Sequence, residues 1–431
     1  MKNNGKNAVK IYKYSFSFKK GGAAIAARKF YEILVQEKFT VYKVSQDHAG
    51  KFQFFLRLIS YTLGLLSKKQ EPIKHSLNIF SYRKVLGSFE DHNALHHIHW
   101  INNDTLSVFS FDRIPKHSII TLHDEWLYCG TEHCCQFLPK NRLDGNDLSL
   151  LPFVSGYPKK LINSNGFNWK YIIWKIKYRK ISVHTSLIFT VPSTWMLKRA
   201  KASLILKNQD VRLLPNPIDT IVFSPTVEND EIRSQYCIDS SDIVITFGAV
   251  AGGENPAKGS VLLLEALKLL PTLIKPELKA RIKLVTFGKK AKRAINTPFP
   301  CVEIGHIAEQ TILSKVYGMS DCVVVPSYVE SFGQVAAEAQ SCGVPVVAFA
   351  TSGITDVVKD KYTGFLAEPF SSISLAEKIV DLITLDAQQK NSLSLQAREH
   401  VINNFSYDVI ARKYINIVNE AIKNKKTSER G

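Results

Sequence analysis

Two glutamates eight residues apart, Glu330 and Glu338, flank Gly333 in the stretch Pro326-Ser327-Tyr328-Val329-Glu330-Ser331-Phe332-Gly333-Gln334 and the residues after it. Glu330 reads as a loop residue, and Glu338 lies about one and a half turns inside a helix that starts near Gly333. A loop carboxylate can accept hydrogen bonds from sugar hydroxyls, a helical one from a ribose, and free backbone N–H groups at a helix start suit a phosphate. Two solvated carboxylates on an amphipathic helix would have the same spacing, so the surroundings must choose. Lys258 follows a Gly- and Ala-rich stretch, 248–257, at a strand-to-helix turn, the place for a pyrophosphate clamp. It is no Walker A lysine, because Gly259 stands where Ser or Thr is required and the upstream spacing is wrong. His123 ends the strand-like run 118–122 and is followed by Asp124 and Glu125. The carboxyl ends of strands are where open α/β sheets bind ligands, though a histidine there also has structural uses.

The elements that must position these groups are strands alternating with helices. Residues 323–325 form a β-branched run that stops at Pro326, as a buried parallel strand does. Gly343 and Pro345 end the following helix, and 344–349 gives the next strand, completing a βαβ unit. The chain opens the same way. A strand at 9–14 leads through Gly21 and Gly22 to a helix over 23–37 and a strand at 39–44. Two glycines at such a junction admit a ligand close to the backbone, and a plain turn uses them as well. Further strands are expected at 187–191, 211–214, 243–247, 282–287 and 301–304, and helices at 193–204, 258–270, 373–385, 386–403 and 407–423. His97 and His99 share one face of the strand-like stretch 93–102. The fold class is α/β.

The chain has 431 residues, 45% hydrophobic and 22% charged, enough for two domains of ordinary size. No signal peptide and no run of membrane-span length is read from it. Seven cysteines without a Cys-x-x-Cys pair point to reduced thiols. Cys129, His133, Cys134 and Cys135 do not match zinc spacings and read as a plain loop, so no metal is expected. A net charge of +18 implies an anionic partner. No nucleic-acid motif is present. The basic and aromatic residues interleaved over 169–180 suit a lipid headgroup layer, or equally a helix with aromatics in the core and lysines in water. The segment 51–69, apolar at helical spacing with basic ends, fits a membrane or a core equally well. Residues 127–166 have no strong period and read as a functional loop or a locally mobile stretch.

The pattern Pro-Ser-x-x-Glu-Ser-Phe-Gly-x-x-x-x-Glu-Ala-x-x-x-Gly-x-Pro-Val-Val-Ala, residues 326–348, resembles the Glu-x7-Glu signature of the family-four retaining glycosyltransferases of GT-B fold. The resemblance continues through Val-Pro-Ser-Thr-Trp at 191–195 and Pro215-Asn216-Pro217-Ile218-Asp219, and is weakest over 127–168. It implies two Rossmann-like domains facing each other across a cleft. The first, 1–214, would bind the acceptor; a linker would span 215–241; 242–405 would bind a nucleotide-sugar donor; and a last helix, 406–424, would pack back on the first domain. It further implies Glu330, Lys258 and His123 as the catalytic groups, with Lys258 and the Gly333 N–H on the diphosphate. Glu338 would hold the ribose. Gly22, Ile307, Ser331, Phe332, Gly333 and Gln334 would line the donor, and Asp124 and His99 would lie on the acceptor side. One departure stands out: the family's arginine after the first glycine of the 248–257 loop is Ala249 here, with Lys289 and Lys290 as possible helpers to Lys258.

The activity so implied is transfer, with retention and without metal or cofactor, from a nucleotide-diphosphate-sugar to a glycan acceptor, lipid-diphosphate-linked. The setting is bacterial O-antigen (lipopolysaccharide), capsule or exopolysaccharide synthesis, by a cytoplasmic protein peripheral on the anionic inner face of the membrane. The alternatives are a GT-B-type nucleotide-sugar epimerase or phosphorylase, although no pyridoxal lysine is evident, and an inactive nucleotide-sugar-binding protein.

Overall fold

The computed structural model describes residues 9–19, 21–66, 73–135, 148–159, 167–225, 229–248, 256–288 and 296–428. Ala249, Lys289, Lys290 and much of the 127–166 loop lie outside the described residues. The chain divides into two compact units, residues 1–215 with 411–431, and residues 216–410.

Unit 1 is built on a sheet of β1 (Lys10–Tyr14), β2 (Thr40–Val44), β3 (Leu95–Ile98), β4 (Ile119–Thr121), β5 (Ile188–Val191) and β6 (Asp210–Leu213), in the order β2-β1-β3-β4-β5-β6. All its strand pairs are parallel. Parallel neighbours need crossover connections, and the apolar faces of the crossover helices cover the sheet. The Gly22–Gln36 helix buries Ala26, Ala27, Phe30, Ile33 and Leu34 at helical spacing. Ser193 caps the Thr194–Ala202 helix by accepting the Met196 N–H.

Unit 2 carries β7 (Ile243–Gly248), β8 (Ile282–Phe287), β9 (Cys301–Gly305), β10 (Cys322–Val325), β11 (Val346–Phe349) and β12 (Gly364–Ala367), again all parallel, in the order β12-β11-β10-β7-β8-β9. Chain order reverses between β7 and β10, the switch point where loops diverge and leave a crevice for a ligand. The Ser260–Leu273 helix buries Leu263, Ala266, Leu267 and Leu270, and Asp386 and Gln389 form a capping box at the Ala387–Phe405 helix. Within the segment expected to be a linker, 215–241, Ile218 and Phe223 are fully buried in this unit, and Ile218 pairs with Ser406.

The Tyr407–Ser428 helix supplies unit 1 with Tyr414, whose hydroxyl accepts from Lys13 Nζ at 3.1 Å, and with Lys425, which donates to the Ala94 carbonyl. The Trp169–Ile181 helix places Ile173, Trp174 and Ile181 in the core, as one of its two readings expects, with one departure from lysines in water. Trp174 is buried, but so is Lys177, whose ammonium donates to the carbonyls of Trp126 and Gly130. Burial pushes that lysine down to about 7. All seven cysteines are unbridged.

Candidate functional site

In unit 2 three loops meet at the switch point because glycines let backbones touch. Gly259 has φ +67°, and a Cβ there would stand 1.8 Å from the Pro326 carbonyl oxygen. The Tyr328 N–H donates to the Ala257 carbonyl at 2.8 Å, tying the loop after β7 to the loop after β10. A Cβ on Gly353 would be 2.4 Å from the Ser331 oxygen; its N–H donates to the Glu330 carbonyl, and the Glu330 N–H to Ser352 Oγ, both at 2.8 Å. The loop after β11 is thereby tied in.

This framework brings Lys258 and Glu330 together. Lys258 Nζ donates to Glu330 Oε1 at 2.6 Å, and Ser327 Oγ donates to the same oxygen at 2.8 Å. The lysine side chain is 44% exposed and the glutamate 19%. The charge of Glu330 and its hydrogen bond raise the Lys258 ammonium above its ordinary value, against the opposing effect of burial. The lysine is therefore a fixed cation, held from one side and open to solvent.

Beside it, Gly333 (φ +101°) precedes the Gln334–Ser341 helix, and no side chain caps that helix start. Its first N–H groups are of the kind that receive an anion. Glu338 is buried inside this helix, with Gln334 Nε2 donating to its Oε1 at 2.7 Å and Tyr317 Oη to its Oε2 at 3.5 Å. A solvated carboxylate is thus excluded. Phe332, expected to line a donor, instead turns its ring into the core against Phe405, at 5.2 Å, and leaves only its backbone for a ligand. Ser331 and Ile307 are partly buried, and Ile307 packs beside Val244 and Val285.

In unit 1, Gly21 has φ +95°, which demands glycine, whereas a Cβ on Gly22 would meet nothing within 4 Å. The loops after β3 and β4 bring His99, His123 and Asp124 together. His99 Nδ1 and His123 Nε2 are 3.0 Å apart, and the rings stack at 5.3 Å. His99 is 2% exposed and its Nε2 has no partner, so it supports His123 from beneath. Burial lowers His123 to about 4, with Lys13 adding to the effect and Asp124 opposing it. The imidazole is neutral at neutral pH.

Asp124 has both oxygens engaged. Oδ2 accepts from Trp100 Nε1 and His133 Nδ1, each at 2.7 Å, and Oδ1 accepts the Trp126 N–H. Burial works to raise it, but His133 and these donors outweigh burial and hold it well below the usual carboxylate range. The sequence reading missed the groups that fix this turn. Glu125, 2% exposed, accepts from Arg199 Nε at 2.5 Å, from Tyr128 Oη and from the Cys135 N–H. Behind His99, fully buried Lys13 meets His97 Nδ1 at 3.1 Å, and the His97 and His99 rings lie 4.2 Å apart. Two adjacent acids after a strand were a signal for the turn; nothing in the sequence paired Glu125 with an arginine 74 residues on. Cys129, Glu132 and Cys135 each place a ligand-type atom within 4.8 Å of the others. Burial raises the Cys129 thiol well above its ordinary value.

The comparisons with known proteins agree with this architecture. Residues 228–400 match the family model "Glycosyl transferases group 1". The chain is 31% identical over 232 residues to a D-inositol 3-phosphate glycosyltransferase of Stackebrandtia nassauensis, covering 51% of each chain. It is also 31% identical over 204 residues to a lipopolysaccharide 1,2-N-acetylglucosaminetransferase of Salmonella typhimurium, covering 43% of this chain and 50% of that one. The chain spans about half the length of the curated relatives it matches. Among solved structures, sucrose-phosphate synthase of Thermosynechococcus elongatus superimposes with a TM-score of 0.66 at 17% identity, over 96% of this chain and 100% of that one. HepE of Anabaena, solved with UDP and glucose, superimposes with a TM-score of 0.60 at 16% identity, over 96% and 100%. Two parallel six-stranded α/β units of this kind define a GT-B protein. The similarity to the group 1 glycosyl transferases lies in residues 228–400.

Proposed function

We propose that this protein is a retaining glycosyltransferase that moves a sugar from a nucleotide-diphosphate-sugar to a glycan acceptor, without a metal or a resident cofactor. The observation that carries the reading is the Lys258–Glu330 pair beside the uncapped helix start at Gly333. In the reaction the bond from the anomeric carbon to the β-phosphate oxygen breaks, and a bond to the acceptor oxygen forms on the same face. The acceptor's proton passes to the departing phosphate. Negative charge grows on the diphosphate, and a fixed cation with aligned N–H groups is what stabilises it. Glu330, holding Lys258 through Oε1 alone, orients the sugar with its other oxygen, while Glu338 takes the ribose hydroxyls. Backbone groups of Ser331, Phe332 and Ile307 and the Gln334 side chain complete the donor contacts. His123 serves the reacting sugar. A neutral imidazole suits an oxocarbenium-like centre, which a protonated one would repel. His99 and Asp124 hold that imidazole and its loop.

The HepE complex supports a nucleotide-sugar donor, and the Salmonella relative supports bacterial surface-polysaccharide assembly. The net charge of +18 supports an acceptor presented at an anionic membrane face, which we take to be lipid-diphosphate-linked. Turnover of donor and lipid acceptor by Lys258→Ala and Glu330→Ala tests the site. We expect losses of about 10²–10³ in kcat, the effect of removing one preorganised charge stabiliser. Near-normal turnover in both would defeat the assignment. Nucleotide release that is as fast without acceptor as with it would favour an epimerase.

A further inference from the structure

We propose that the outward face of the Lys51–Leu65 helix, with Phe167 at its edge, is a docking surface for an anionic lipid bilayer. This deepens the membrane-face reading above by naming the element that makes the contact, and it stands on that surface rather than on the transfer chemistry.

The helix carries apolar residues on both sides: Leu56, Ile59 and Leu63 are half-buried, with Leu63 against the unit 1 core. Its buried positions are polar: Gln53, whose Nε2 donates to the Asp104 carbonyl at 2.9 Å, and Ser60 seven residues later. Facing outward are Phe54, Phe55, Leu58, Tyr61 and Leu65, between 47% and 65% exposed. A helix packed on a water-soluble core leaves its outer face polar. Single exposed apolar residues need no explanation, but a contiguous face marks an interaction site. The face continues onto neighbouring structure. Trp169 Nε1 donates to the Leu63 carbonyl at 2.9 Å, and Phe167, 62% exposed, stacks on Trp169 at 5.5 Å.

Charge selects the occupant. Lys51 is exposed at the first position of the helix, and the Arg57 guanidinium lies 5.5 Å from the Phe54 ring centroid. The sequence from Lys51 to Lys74 holds Arg57, Lys68 and Lys69 as well, against the single acid Glu71, and no acid occurs between Asp147 and Asp210. An apolar stripe with cations at its margins buries its rings at the acyl boundary and sets its ammonium groups among headgroup phosphates. At 15 residues the helix is about 22 Å long. No described helix is long and apolar enough to cross a membrane. The helix therefore lies in the plane of the interface. A second copy of the chain is a poorer occupant, because a two-fold contact here would face the basic margins of one +18 chain with those of another.

The test is flotation of the full chain with vesicles of phosphatidylcholine alone and with phosphatidylglycerol at 3:1, without donor or acceptor. The triple variant Phe54→Ser/Leu58→Ser/Leu65→Ser is compared with wild type, together with unfolding midpoint, sedimentation and nucleoside-diphosphate binding. We expect wild type to float with the anionic vesicles and to be released by salt. The variant should bind at least tenfold more weakly with its midpoint and nucleotide binding unchanged. Wild type staying in the aqueous fraction at low salt, or the variant floating equally well, would overturn the proposal. So would a wild-type dimer that these substitutions convert to monomer, since that assigns the face to a second copy. Normal flotation with no sugar transfer would leave this surface standing and count only against the transferase reading.

Discussion

Unit 1 holds all five tryptophans and every histidine except His306 and His400, whereas unit 2 holds no tryptophan. The two units share a parallel α/β plan but position their functional groups by different physics. Unit 2 does it with backbone: glycines at 259, 333 and 353 let three loops approach until Lys258 and Glu330 must pair. Unit 1 does it with buried polar side chains, through the Glu125–Arg199 pair, the Asp124–His133–Trp100 set and the adjoining rings of His97, His99 and His123. Backbone closeness is robust to pH and charge. A buried polar network is not, because each member depends on its partner.

The largest expected break in this comparison is Arg199→Ala. It leaves the Glu125 carboxylate buried without its cation, which should destabilise unit 1 by about 3–5 kcal/mol. Tryptophan fluorescence during denaturant unfolding reads unit 1 alone, and a midpoint equal to that of wild type would show that the pair does not hold the His123 turn.

Acid should separate the units next. Burial lowers His96 and His123 to about 4, and His97 and His99 well below their ordinary value. The unfolded chain therefore binds more protons, so stability is full above pH 6.5 and is lost as pH falls from there toward 4. By pH 5, His96 alone accounts for about 2 kcal/mol. Fluorescence-detected stability that is flat from pH 7 to 5 would contradict the neutral-histidine core.

The grouping proposed as the site in unit 2 is legible in the sequence because its requirements are local: Glu330, Gly333 and Glu338 lie in one strand–loop–helix segment, and a glycine spacing records a backbone need directly. The strands were also readable, since β-branched runs such as 323–325 have few other uses. Unit 1's clamp was not. Arg199 and Glu125, or Lys13 and Tyr414, are brought together only by the tertiary fold, and sequence distance carries no trace of the pairing. Phe332 shows the reverse case, a motif residue whose ring packs in the core and whose backbone alone is left for a ligand. The Lys51–Leu65 helix shows why periodicity alone could not choose between core and surface: the spacing defines a face and not its direction.

The smallest effect is expected where the C-terminal helix meets β6. Arg212 bonds both Asp210 and Glu420, with N–O distances of 2.5–3.0 Å, at a partly exposed edge. Arg212→Ala should cost no more than about 1 kcal/mol. A larger loss would mean that unit 1 depends on that helix beyond the buried Tyr414 contact.

In the function proposed above, unit 2 captures a diphosphate at Lys258 and the helix start behind Gly333. Thermal unfolding of wild type and Lys258→Ala across a panel of nucleoside diphosphates tests it most directly. At least one diphosphate should raise the wild-type midpoint, and the shift should fall sharply in the variant, whose ligand-free midpoint is unchanged. Equal stabilisation of both proteins, or none of either by any member of the panel, would contradict it.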